Sequence, residues 1–105
     1  MKIPDKVKIG PFVYIIERPE IVDRYERELI GQCDHQAGII RIERALTGSK
    51  AEETLLHEIL HAVTMFMCLD LSEKQISQLS NGLYMVLKEN NLLAGGDEDG
   101  EDKAK

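Results

Sequence analysis

Two histidines and a glutamate share one helical turn in this chain, as His57-Glu58-Ile59-Leu60-His61, and every other residue from Thr54 to Val63 is uncharged. On a 3.6-residue turn, a spacing of four puts both imidazoles on one side, about 6 Å apart along the axis, so that two nitrogens can converge on one zinc ion. Glu58 projects about 100° away from His57, close enough to take a proton from water that such an ion activates. Steps of 100° also place Leu55, Ile59, Ala62 and Phe66 opposite the histidines, whereas Thr54, His61 and Thr64 lie within about 60° of His57. A core histidine would share the apolar arc. The segment therefore requires a helix packed on one side and open to a ligand on the other.

The flanking sequence supplies the remaining elements. Ser49-Lys50-Ala51-Glu52 has the spacing of a capping box, in which serine and glutamate each satisfy a free backbone donor, and predicts a helix from there to about Met67. Ser72-Glu73-Lys74-Gln75 repeats the signature and opens a second helix to about Asn90, with Ile76, Leu79, Leu83, Val86 and Leu87 on its apolar face. Upstream, Val7 to Glu17 is rich in β-branched and aromatic residues and reads as one buried strand, with a bulge or turn at Gly10-Pro11. Pro19 ends that strand, and Glu20 to Glu28 reads equally as a short helix or an irregular crossing. Leu29 to Cys33 and Ile39 to Glu43 form a hairpin around Asp34-His35-Gln36-Ala37-Gly38. The expected class is α+β: an antiparallel sheet of about three strands packed on the histidine-bearing helix and a second, C-terminal helix.

With 105 residues there is room for one domain, assigned to 1–94, and the Gly-, Asp-, Glu- and Lys-rich stretch 95–105 is expected to be a disordered acidic tail. Thirteen basic against nineteen acidic residues leave a net charge of −6, the wrong sign for a domain that clamps phosphate backbones, so no nucleic-acid partner is expected. No run approaches the roughly 18 apolar residues of a membrane span, and Met1 to Gly10 carries lysines without a following apolar segment. A cytoplasmic protein is expected. Cys33 and Cys68 fit neither a disulfide framework nor a paired metal knuckle. Cys68 also lies seven residues, roughly 10 Å, beyond His61, too far for the same ion.

Residues 54 to 63 resemble the extended H-E-x-x-H signature of the zincin metallopeptidases. The metzincin form is excluded, because Thr64 and Met67 stand where it has glycine and histidine. The small size, the strand hairpin before the motif helix and the helix after it are similar to the ImmA/IrrE-like family of small metallopeptidases of phages and mobile elements, over roughly residues 7 to 91. That resemblance implies a gluzincin arrangement, with zinc (Zn2+) held by His57, His61 and a glutamate of the next helix, for which Glu73 is the candidate, and with Glu58 as general base. Asp34 and His35 in the hairpin turn compete for the third position. In a simple antiparallel helix pair, Gln78 to Asn81 would stand level with His61, so a role for Glu73 requires the two helices to cross steeply. The implied partner is a peptide or protein substrate, such as a transcriptional repressor, paired with an exposed edge strand at Ile39 to Glu43. The alternative is a zincin-frame binding or regulatory module without useful hydrolysis.

Overall fold

The protein's structure, a computed structural model, describes residues 2–93; the tail expected at 95–105 lies outside the described residues. The element order is β1 (Lys6–Ile9), β2 (Phe12–Glu17), β3 (Gly31–Asp34), β4 (Ile39–Ile42), α1 (Gly48–Met67) and α2 (Glu73–Glu89). The class is α+β, but the sheet has four strands and is mixed, in the order β1-β2-β4-β3. Gly10-Pro11 accounts for the extra strand. Gly10 adopts a left-handed φ of 59°, Pro11 has no amide proton to give to a ladder, and the run expected as one strand folds into an antiparallel pair.

The connection after β2 takes the irregular of its two expected forms. Residues 18–30 form turns rather than a helix and carry the chain across the sheet, so β4 returns parallel to β2 and β3 is left outermost. Arg18 fixes this crossing. Its guanidinium donates to the carbonyls of Ile42, Glu43, Arg44 and Leu46 at 2.6–3.3 Å, and the Arg44 side chain donates back to the Arg18 carbonyl. The β3–β4 hairpin forms as the glycine at its turn predicts, with Gly38 at φ 70°. The expectation that Ile39 to Glu43 forms the free edge is corrected, because β4 is an interior strand and β3 is the edge beside α1.

One face of the sheet is covered. Tyr14 and Ile16 of β2 and Ile40 and Ile42 of β4 alternate inward and meet Leu55 and Ala62 of α1, with Ile59 and Val63 packed around them, while Val13 and Ile15 point to solvent. Each fully buried isoleucine contributes about 1.5–3 kcal/mol. Phe66 completes the stripe edge-on to Phe12, at a centroid distance of 6.2 Å.

Thr47 precedes helix α1 as its N-cap and makes no side-chain cap, so the capping box expected at Ser49 does not form, whereas the one at Ser72 does, with Ser72 and Gln75 bonded to each other's amides. α1 ends on Cys68 in the left-handed region, φ 58°. α2 packs on α1 alone, burying Ile76 and Ser80, so the expected apolar stripe at Leu79, Leu83 and Val86 remains exposed. Among the described residues, no helix is long and apolar enough to cross a membrane.

Candidate metal centre

The apolar stripe seats α1 on the sheet and turns the opposite side of its middle turns toward a cleft between β3 and α2. His57 lines that cleft, and the ring of His61, one turn on, stands with its centroid 5.0 Å from that of His57. α2 brings in Glu73 from its first turn. Glu73 Oε2 lies 2.9 Å from His57 Nε2, and Oε1 lies 2.8 Å from His61 Nε2. Ser77, one turn on, has its hydroxyl 3.5 Å from the same carboxylate.

Glu73 reaches both histidines from the first turn of α2, which lies against α1 with the chain direction reversed. At the far end Tyr84 donates to Glu52 at 2.6 Å, with Lys88 Nζ 3.4 Å from the same oxygen. The eleven residues from Glu73 to Tyr84 and the nine from Glu52 to His61 differ by only about 3 Å of helix rise, which side chains bridge, so an antiparallel pair suffices to bring Glu73 beside His61.

The donor set fits a divalent ion. One ligand atom from each of His57, His61 and Glu73 lies within 4.8 Å of the others, and two imidazoles with one carboxylate are a donor set that zinc accepts. The other two sequence candidates are engaged elsewhere. Asp34 caps its own turn through the Ala37 amide at 3.0 Å and lies 3.9 Å from Arg41. His35 has its Nδ1 3.3 Å from Tyr14 Oη and 3.6 Å from Cys33 Sγ. Burial, and then the nearby His61 imidazole, hold His35 below its ordinary pKa, with Asp34 acting the other way. Cys33 packs against the core cluster, and Cys68 is exposed beyond the end of α1.

Glu58 occupies a different environment from Glu73. It is 7 % exposed, while Glu73 stands in solvent. No hydrogen bond or ion pair holds its carboxylate among the described residues. Burial, and then the negative charge of Glu73, push its pKa up to about 7. The space it fills exists because Gly31 of β3 has no side chain: a Cβ there would stand 2.8 Å from Glu58 Oε2 and 2.7 Å from Thr54 Cγ2. Gly31 was absent from the sequence candidates, although a glycine inside a strand is the usual mark of a close approach. Burial, Glu58 and Asp34 together raise the Cys33 thiol to about 12, so it remains protonated.

The cleft has a volume of about 280 Å³ and is lined by Leu29, Ile30, Gly31 and Thr54, by Ser77, Ser80 and Asn81 of α2, and by His57, Glu58 and Glu73. Glu28, Lys50 and Glu53 surround it. The β3 edge passes beside it. Because the Glu43 amide donates to the Ile30 carbonyl, Gly31↔Ile42 and Cys33↔Ile40 are the pairs without mutual hydrogen bonds, so Gly31 and Cys33 direct their own N–H and C=O groups outward. Comparison with protein-family models, with curated proteins and with solved structures finds no match to the chain.

Proposed function

We propose that the chain is a small zinc-dependent peptidase with a gluzincin-type site, in line with its resemblance to the ImmA/IrrE-like family. The observation that carries this reading is the meeting of two unlike glutamates at one pair of imidazoles: Glu73, exposed and within 3 Å of both nitrogens, and Glu58, buried beside them without a partner. A metal site needs only the first. The second has no structural purpose, because a buried unpaired carboxylate costs stability.

His57, His61 and Glu73 would hold the ion, and zinc bound there would supply a Lewis acid that polarises a carbonyl and acidifies water. Glu58 takes the proton from the attacking water and passes it to the leaving amine. Its burial keeps bulk water from competing for that proton. An extended peptide adds to β3 through the outward groups of Gly31 and Cys33, which gives main-chain recognition with little dependence on side chains. The family resemblance directs the search for a physiological substrate to transcriptional repressors of phages and mobile elements.

Glu58→Gln tests the assignment. Zinc-loaded protein is incubated with a peptide library and with repressor proteins, and products are read by mass spectrometry. Cleavage is expected for the wild type and a drop of about 10²–10⁴-fold for the variant, with zinc content unchanged. Full zinc content with no Glu58-dependent cleavage assigns the site instead to a binding or regulatory module.

A further inference from the structure

The turn after β3 places a third imidazole, His35, near the metal centre. β3 and α1 run in the same direction: Gly31 abuts Thr54 and Glu58, and His35 lines a groove of about 470 Å³ with Met65, one turn beyond His61. Four strand residues advance about 13 Å and the seven helical residues from Glu58 to Met65 about 10 Å, so the two segments stay in step and His61 falls between their contacts. The groove beside His35, lined also by Tyr14 and the turn residues Gln36 to Gly38, lies where β3 ends.

The ring of His35 is held by one nitrogen only. Tyr14 is 5 % exposed, and His35 Nδ1 is the only hydrogen-bond partner of its hydroxyl among the described residues. A buried hydroxyl proton requires an acceptor, so Tyr14 donates to Nδ1, and the protonated Cys33 thiol approaches the same atom. A neutral imidazole carries one proton, which this arrangement places on Nε2. Nothing else in the described fold uses that N–H.

We propose that His35, fixed by Tyr14 as the Nε2–H tautomer, is a catalytic residue that donates a hydrogen bond to the carbonyl oxygen of a peptide lying along β3 as that oxygen gains negative charge. The inference rests on the peptidase reading and adds to it a substrate-touching group that belongs to neither the metal ligands nor the base. A donor placed where charge develops is worth about 10²–10³-fold, and it requires no rearrangement if its tautomer is already set.

Two measurements on the full chain test it. Long-range ¹H–¹⁵N correlation spectra of the metal-free protein are expected to show His35 as the Nε2–H tautomer in the wild type and a mixed population in Tyr14→Phe, which retains the buried ring. A predominantly Nδ1–H wild type overturns the proposal. Calorimetry of the zinc-loaded protein with a phosphonamidate peptide, a mimic of the charged intermediate, is expected to show binding weakened about 100-fold in His35→Ala with zinc affinity unchanged. Equal analogue binding by wild type and variant overturns the role of His35 and leaves the peptidase reading standing. Failure of the wild type to bind the analogue at all overturns both, and loss of zinc affinity in His35→Ala makes His35 a ligand instead.

Discussion

Glu52 and Glu58 are the same residue on the same helix, 5 % and 7 % exposed, yet their surroundings differ in kind. Burial pushes both carboxyls upward. At Glu52 the Tyr84 hydroxyl and the Lys88 ammonium, among other partners, outweigh it and leave the group below its ordinary pKa. At Glu58 no donor answers the burial, Glu73 adds to it, and the pKa rises to about 7. One carboxylate joins two helices, and the other stands buried beside the imidazoles, where the proposed function makes it the general base. Unequal treatment of like groups by one scaffold is how acid–base roles are distributed, and a buried carboxylate left without partners has no gain in stability to account for it.

The largest test of this contrast is its pH dependence. A carboxyl raised in the folded state binds its proton more tightly there than in the unfolded chain, so the stability it contributes is complete below the unfolded value near 4.5 and is lost as pH rises to about 7. For Glu58 in metal-free protein the loss is on the order of 3 kcal/mol. Urea unfolding at pH 4.5 and pH 8 in the presence of chelator is expected to show that extra loss in the wild type relative to Glu58→Gln. Equal losses would mean that Glu58 is no different from an ordinary surface acid. Glu52 slopes the opposite way, losing its contribution as pH falls.

A smaller effect is expected at the other end of the helix pair. Tyr84→Phe removes the hydroxyl that satisfies Glu52 and should cost about 2 kcal/mol in the same unfolding assay. Zinc affinity should fall only slightly, because Glu73 lies at the opposite end of α2. A tenfold or greater loss of zinc affinity would show that the Tyr84–Glu52 contact aligns the metal site as well as joining the helices.

Local rules explain what could be read in advance. The helical spacing of His57, Glu58 and His61, the cap at Ser72 and the glycine turn at Gly38 each express chemistry contained in a few neighbouring residues, and each appears in the fold. The meeting of Glu73 with both histidines was foreseeable only as a candidate from resemblance, since the register of α2 against α1 depends on contacts between distant residues such as Tyr84 and Glu52. Strand order was beyond local reading for the same reason: β3 became the edge because residues 18–30 cross the sheet, a path held by Arg18 on carbonyls more than twenty positions away. The split at Gly10-Pro11 was visible as a break but not as a reversal. Gly31 carried a readable mark, a glycine within a strand, but what it makes room for appears only when α1 is laid beside it.

The central claim is that His57, His61 and Glu73 hold one metal ion between α1 and α2. Calorimetric titration of zinc into metal-free wild type and into Glu73→Ala tests it most directly. One zinc per chain is expected in the wild type, with affinity reduced at least tenfold in the variant. No zinc uptake by the wild type, or the same affinity in both proteins, would contradict the account.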